Sequence, residues 1–450
     1  MNSKLLTQAG ITCDSAASVD SQQEQVILEE SVSRGRRLKR SFWHVVAHQF
    51  TLMCVIAVKL SGLLCRRKRR LLPGEECDIM LTGRFDSDNW ILAHLGPLSA
   101  SKECSRIWMV STNHVPEMPK VTGIYPSKFL MKIMGKTSAR LITFFWSAMK
   151  KRPHIVGGFH IMVNGIAAVI AGRLIGARSM YFCVGGPAEV SDGGIHSADS
   201  YFTGMEISDA VVEKRLLKII SQFDIIITMG TRAAKYFHGK GISTDFHVLS
   251  GGIDKAYFRL AEKIPSYDLI VTGRIVEVKR VDVFLQTVKL VADKIPEVKV
   301  LIVGNGKLLT ELKQLARELN LDRNVHFVGY QKDVENWLQQ SRIFVLTSDS
   351  EGLSLSLMEA MMCGLPAVVS NVGDLGDLVK DGVNGYLVSR RCPEKFAARI
   401  IELLTDKNKL KTFSLAARTS ALNYSTQAAT AKWDHIIQRW RQSSVTRKIS

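Results

Sequence analysis

The sequence predicts an α/β protein of two doubly wound, Rossmann-like domains facing a central cleft, preceded by an N-terminal extension. Three observations predict it. The chain of 450 residues is too long for one ordinary core. Short apolar runs alternate with helical patterns along most of it, and that rhythm breaks once, near residues 251–267, before restarting. Hydrophobic content of 46% against 23% charged is the balance of a globular chain and excludes global disorder. The expected divisions are residues 1–75 (tail and a basic-flanked apolar helix), 76–255 (first domain), 256–267 (linker), 268–425 (second domain) and 426–450 (helix and tail).

Residues 1–33 are polar with little apolar periodicity, read as a mobile tail without a signal-peptide pattern. The formal net charge of +18 is uneven. Arg34, Arg36, Arg37, Lys39 and Arg40 form one cluster and Arg66, Arg67, Lys68, Arg69 and Arg70 another, on either side of the apolar segment 42–65. Basic flanks on both sides suit an anionic membrane surface and fail to orient a spanning helix, so nucleic acid is not an expected partner. At 100° per residue, His44, His48, Thr51, Lys59 and Gly62 fall in one stripe interrupted by Val55, with an apolar arc opposite. An in-plane helix fits this best; a spanning helix and an ordinary core helix stay open. Residues 127–151 form a second basic amphipathic stretch, read as a domain helix with solvated lysines or a second lipid contact. The eight scattered cysteines lack metal-ligand spacing and read as reduced thiols. The expected location is the cytoplasm, at the inner face of the membrane.

In the first domain the strand-like runs are 79–81, 107–110, 155–157, 180–183, 225–228 and 246–249. They are nearly continuously apolar, as strands of a parallel sheet covered on both faces must be. The second domain restarts at 269–272 and continues through runs at 298–303, 325–327 and 343–346, joined by helical patterns such as Val281, Phe284, Leu285, Val288 and Val291. The chain ends with helical segments, including 431–442 with Trp433, Ile436, Ile437 and Trp440, and one of these segments is expected to pack back on the first domain.

Ligands of such sheets bind beyond the carboxyl ends of the strands. There the second domain places Gly273, Arg274, Lys279 and Arg280 on one loop, with fixed positive charges suited to a diphosphate. The tight turn at Gly304 and Gly306 permits close backbone approach to a ligand. Residues 350–366 read as loop, helix, stop: Glu351 precedes the helix, Gly352, Leu353 and Ser354 line its start, Glu359 sits on it, and Gly364 with Pro366 ends it. Two carboxylates ~12 Å apart along a helix are too far for a paired-acid hydrolase and suit two sets of hydroxyls, such as a ribose and a sugar.

These residues resemble the retaining glycosyltransferases of the GT-B fold, glycosyltransferase family 4 or glycosyl transferases group 1. The resemblance is carried by Gly273-Arg274 with Lys279, the 303–306 turn, Val328-Gly329-Tyr330, and the E-x7-E pair Glu351 and Glu359 followed by Gly364-Leu365-Pro366. It is strong over 269–388 and looser over 78–254. It implies a nucleotide-diphosphate sugar as donor, with Arg274 and Lys279 on the diphosphate, Glu359 on the ribose, and Glu351 with the backbone at 352–354 near the sugar. It also implies no metal, and transfer with retained anomeric configuration. Where many members carry a histidine after the fourth strand, this chain has Cys183-Val184-Gly185-Gly186; His160 is the nearest substitute and His196 a second. The glycine loop after the first strand is reduced to residues 82–86. A nucleotide-sugar epimerase of the same fold and a non-enzymatic basic binding protein are the rival readings. A lipid-linked or cell-surface polysaccharide intermediate is the expected acceptor.

Overall fold

In the computed structural model, the structure describes residues 41–69, 71–72, 74–85, 87–195, 207–260 and 265–446. The proposed tail, the first basic cluster, Arg70 and His196 lie outside the described residues. Seven parallel strands form the first sheet, in the order β3-β2-β1-β4-β5-β6-β7. They are β1 (Cys77–Thr82), β2 (Cys104–Val110), β3 (Val121–Ile124), β4 (Ile155–Phe159), β5 (Arg178–Cys183), β6 (Ile225–Thr228) and β7 (Asp245–Val248). The second sheet has six strands in the order β10-β9-β8-β11-β12-β13. These are β8 (Tyr267–Thr272), β9 (Val300–Val303), β10 (Val325–Gly329), β11 (Ser341–Leu346), β12 (Ala367–Ser370) and β13 (Gly385–Val388).

Strands β12 and β13 were not among the expected runs, and neither was β3. Strand β3 is a sheet edge, short and only partly buried, so it lacks the apolar run that marks the others. Central strands are mostly buried, and β1 buries all six of its residues. One core cluster lies on each face of the first sheet, because alternate residues of β1 (Ile79 and Leu81 against Met80) point to opposite sides.

The chain crosses between the domains twice, and the crossings are hydrogen-bonded to each other: Ile253 N–H donates to Tyr424 O (2.9 Å) and Thr426 N–H to Ile253 O (2.9 Å). Past the second crossing, helix α14 (Thr426–Thr446) returns to the first domain, as the sequence predicts. Trp433 is fully buried there near Phe182, and Trp440 Nε1 donates to Asp245 (3.2 Å).

A second interdomain contact is a shared helix cap. Helix α6 (Thr231–Gly239) starts at Gly230, whose absent side chain leaves the first N–H groups without a local acceptor. The second domain supplies acceptors. Asp377 receives the Thr231 N–H (2.6 Å) and hydroxyl (2.7 Å), and Asp374 receives the Arg232 N–H (2.7 Å). The fit is close: a Cβ on Gly230 would overlap the Asp374 side chain. Burial raises the Asp374 pKa, and its Oδ2 has no hydrogen-bond partner. An Asp377→Ala exchange is expected to lower stability by ~1 kcal/mol. Asp374→Ala with Asp377→Ala is expected to open the cleft, read as a larger radius of gyration in small-angle X-ray scattering; an unchanged radius would show that the cap does not hold the domains.

Candidate active site

Both sheets reverse their strand order beside the first strand of the domain, and the reversal leaves a crevice beyond the carboxyl ends. In the second domain it lies between β8 and β11. The loops that open there are residues 273–280 and 347–354, which carry most of the candidate residues. In the first domain it lies between β1 and β4, with His160 directly after β4.

Lys279 and Glu351 meet, their side chains largely buried, with Nζ to Oε1 at 2.7 Å; Ser348 Oγ donates to the same oxygen (2.6 Å). The Lys279 ammonium and Ser348 thus orient Glu351, and an anion entering here meets a lysine already held by a carboxylate. Arg274 is exposed and, among the described residues, pairs with no carboxylate. Arg280, counted from sequence among the loop's positive charges, is a structural residue. Its guanidinium binds Asp282 (2.6 Å) and approaches Asp349 (3.4 Å), and these partners hold its pKa above the ordinary value. Asp349 also binds Arg391. The loop therefore offers two cations and not three.

The glycine turn serves the protein more than a ligand. A Cβ on Gly304 would overlap the Gly273 carbonyl oxygen, and one on Gly306 the Ile275 carbonyl oxygen. Close approach here is between neighbouring loops. Gly273 itself has φ 141° and open space where a Cβ would stand, so its loop is shaped by backbone conformation. Tyr330 follows β10 and is exposed.

Helix α10 (Leu355–Met362) follows the 347–354 loop, with Ser354 at its N-cap. The Ser354 hydroxyl bonds Ser356 Oγ (2.9 Å) and does not cap the helix, so the first-turn N–H groups are not satisfied by that side chain. Glu359 is buried on α10, its side chain makes no hydrogen bond or ion pair to the described residues, and burial lifts its pKa to about 8. Leu353 is buried beneath the loop. Gly352 faces the other domain: a Cβ there would stand 2.6 Å from the Val184 carbonyl oxygen.

Across that contact is a group that sequence reading missed. Glu189, fully buried, accepts hydrogen bonds from Gly185 N–H (2.6 Å), Ile161 N–H (3.0 Å) and Tyr181 hydroxyl (2.8 Å), and lies 3.0 Å from His160 Nδ1. Desolvation alone would raise its pKa, but His160 and these donors outweigh it and lower the value, so the carboxylate stays ionised. His160 adopts φ 63° with ψ 146°, a positive-φ conformation outside the left-handed helical region and uncommon for any residue but glycine. Glu189 fixes its ring by Nδ1 and leaves Nε2 as its second polar atom. The available signal was an acid placed two residues past the Gly-Gly-Pro turn. The reduced first loop is closed by an aromatic cluster, in which Phe85 stacks on Trp90 (4.6 Å) and meets Phe159 edge-on (4.9 Å).

Two facing, doubly wound domains with a cleft between their switch points define the GT-B fold. Residues 254–420 match the family Glycosyl transferases group 1. The chain is 31% identical over 163 residues to the Staphylococcus aureus poly(ribitol-phosphate) alpha-N-acetylglucosaminyltransferase, covering 36% of this chain and 33% of that one. It is 28% identical over 365 residues to the Escherichia coli UDP-Gal:alpha-D-GlcNAc-diphosphoundecaprenol alpha-1,3-galactosyltransferase, 77% of this chain and 86% of that one. Among solved structures, Anabaena Alr3699/HepE in complex with UDP-glucose superposes with a TM-score of 0.63 at 15% identity, covering 81% of this chain and 100% of that one. The chain spans about a third of the length of the first relative and of a Bacillus subtilis poly(glycerol-phosphate) alpha-glucosyltransferase. Its second domain is a glycosyl transferases group 1 domain on a GT-B fold.

Glu359 generates a pH-dependent prediction. Its folded pKa of about 8 stands above the ordinary 4.5, so the native state keeps a proton that the unfolded chain releases. Stability from this residue is therefore lost as pH rises between those values, by ~1.4 kcal/mol per unit at most. Glu359→Gln removes the effect. Thermal unfolding of both proteins is expected to show the variant gaining on wild type from acid to mildly alkaline pH; a constant difference would reject the assignment.

Proposed function

We propose that this protein is a retaining, metal-independent glycosyltransferase of family 4. It moves a hexosyl-type sugar from a nucleoside diphosphate carrier to a lipid-linked or cell-surface polysaccharide intermediate, at the cytoplasmic face of a membrane. What supports this reading is the Lys279–Glu351 pair on the two loops that leave β8 and β11 at one switch point, with Arg274 on the first loop, Glu359 on the helix that follows the second, and Gly352 packed against Val184 of the domain that holds His160 and Glu189.

In this reading Arg274, Lys279 and the first N–H groups of α10 bind the diphosphate. Glu359 accepts from the ribose hydroxyls, and Glu351, Gly352, Leu353 and Ser354 hold the sugar. Gly273 and Gly304 shape the phosphate loops, and Tyr330 borders the nucleotide. The bond from the anomeric carbon to the diphosphate oxygen breaks, and the acceptor oxygen bonds that carbon on the same face. The acceptor proton passes to the departing phosphate, with His160 orienting the hydroxyl. Fixed cations stabilise the charge that grows on the leaving diphosphate, the role a divalent ion has elsewhere. Uridine diphosphate sugars are the first donors to test, since the Escherichia coli relative is named for UDP-Gal and the Anabaena protein was solved with UDP-glucose.

The test is a panel of nucleotide sugars added without metal to the purified protein, followed by thermal unfolding and by release of free nucleoside diphosphate. One donor at about a hundredfold its Kd is expected to stabilise by ~2.7 kcal/mol. Glu359→Ala and Arg274→Ala are expected to abolish that response. No stabilisation and no diphosphate release with any donor would overturn the reading.

A further inference from the structure

Helix α1 (Ser41–Leu63) is mounted the opposite way to an ordinary surface helix. Its polar stripe faces the protein. His44 Nδ1 and His48 Nε2 lie 3.1 and 2.7 Å from Asp209 Oδ2, at the start of α5 (Ala210–Ile220). Arg215 donates to His48 O (2.7 Å), and at the far end Arg173 of α4 (Ile166–Ile175) binds Val58 O and Ser61 Oγ. Desolvation would raise the Asp209 pKa, but the Val212 N–H and the two histidines draw it down to about 2. Thr51, Cys54, Val55 and Val58 are buried beneath, while Lys59, expected in the same stripe, is exposed. These contacts hold the helix on the domain at both ends and in the middle.

The apolar arc is therefore on the outside. Met53, Leu60 and Leu63 are 66%, 55% and 82% exposed. On the same face of the sheet lies α3 (Lys128–Lys151), broken at Gly135 by a non-helical φ of 75°. Phe129, Ile133, Trp146 and Met149 of α3 are also exposed. A bare apolar area of this kind marks a binding surface.

We infer that the outer faces of α1 and α3 together form a docking surface for an anionic lipid bilayer, with α1 lying against it and not through it. Charge selects this occupant. Neither helix contains an aspartate or glutamate, and Lys59, Lys128, Lys132, Lys136, Lys150 and Lys151 are exposed among the apolar side chains. Lysine stems cover apolar surface while their ammonium groups reach headgroups. A second copy on this face would set these lysines against their own kind.

The direction of the helices adds a consequence. Asp209 lies at the carboxyl end of the sheet and Arg173 in the last turn of α4, so α1 starts beside the cleft and runs ~34 Å away from it. Helix α3 starts at the carboxyl end of β3, beside the same mouth. A bilayer here borders the cleft, so the lipid-linked acceptor of the proposed reaction reaches the site without leaving the membrane. That last step rests on the proposed function, whereas the docking surface does not.

The experiment is co-sedimentation of the full chain with phosphatidylcholine vesicles, with and without about 30 mol % phosphatidylglycerol, alongside sedimentation velocity without lipid. Wild type is expected to pellet with the anionic vesicles only. Met53→Glu with Ile56→Glu, and separately Phe129→Glu with Ile133→Glu, are each expected to weaken binding by ~10-fold or more, with thermal midpoints unchanged because these side chains are exposed. Three results would overturn the inference: no binding of wild type to anionic vesicles, equal binding by the variants, or a lipid-free dimer that the variants split into monomers.

Discussion

The arrangement of the whole molecule hangs on the start of helix α6. That helix begins at a glycine and carries no acceptor of its own, so its first N–H groups are satisfied only by two carboxylates from the other domain. The contact is reciprocal, since Asp374 and Asp377 are themselves neutralised in part by the positive end of the helix. Closing one pair of groups brings Gly352 against Val184 and sets the 347–354 loop opposite the Glu189 network. Cleft geometry follows from a capping rule that usually operates within a single helix.

Within each domain the strand order does the rest. A sheet that winds outward in both directions from its first strand leaves one crevice, and the loops leaving its two central strands must border it. In the second domain those loops hold the Lys279–Glu351 pair and lead into α10; in the first they lead to His160. The glycines at 304 and 306 let the β8 and β9 loops pack without separation. Residues far apart in the chain thus converge through topology, with little dedicated scaffolding.

Much of this was legible in the sequence, and the exceptions have physical reasons. Buried central strands announce themselves by unbroken apolar runs, so most of both sheets could be expected; β12 and β13, only four residues each, were not read, and the edge strand β3 could not be, being half-exposed and containing Thr122 and Gly123. The loops carrying Arg274, Lys279, Glu351 and Glu359 were legible because motif spacing and topology agree. Arg280 misled because a basic residue in a basic loop gives no sign of the partners at Asp282 and Asp349. Glu189 was missed because burial with four polar partners leaves no periodicity, and its place after the Gly-Gly-Pro turn was the one sign of it. For α1, His44, His48 and Thr51 do share one face as read, whereas Lys59 and Gly62 are exposed, and amphipathicity alone does not say which side faces protein. Asp209, Arg173 and Arg215 decide that, and they come from distant segments.

The return of α14 has a consequence for the order in which the protein is made. Trp433, Ile436 and Ile437 complete a core whose strands were translated before the whole second domain. On the ribosome the first sheet therefore waits with one face partly uncovered, Phe182 among the residues left open, until the second domain has emerged and folded enough to carry the chain back. Synthesis makes the second domain a prerequisite for finishing the first, so a chain interrupted near residue 425 leaves both the sheet and its neighbour's anchorage incomplete.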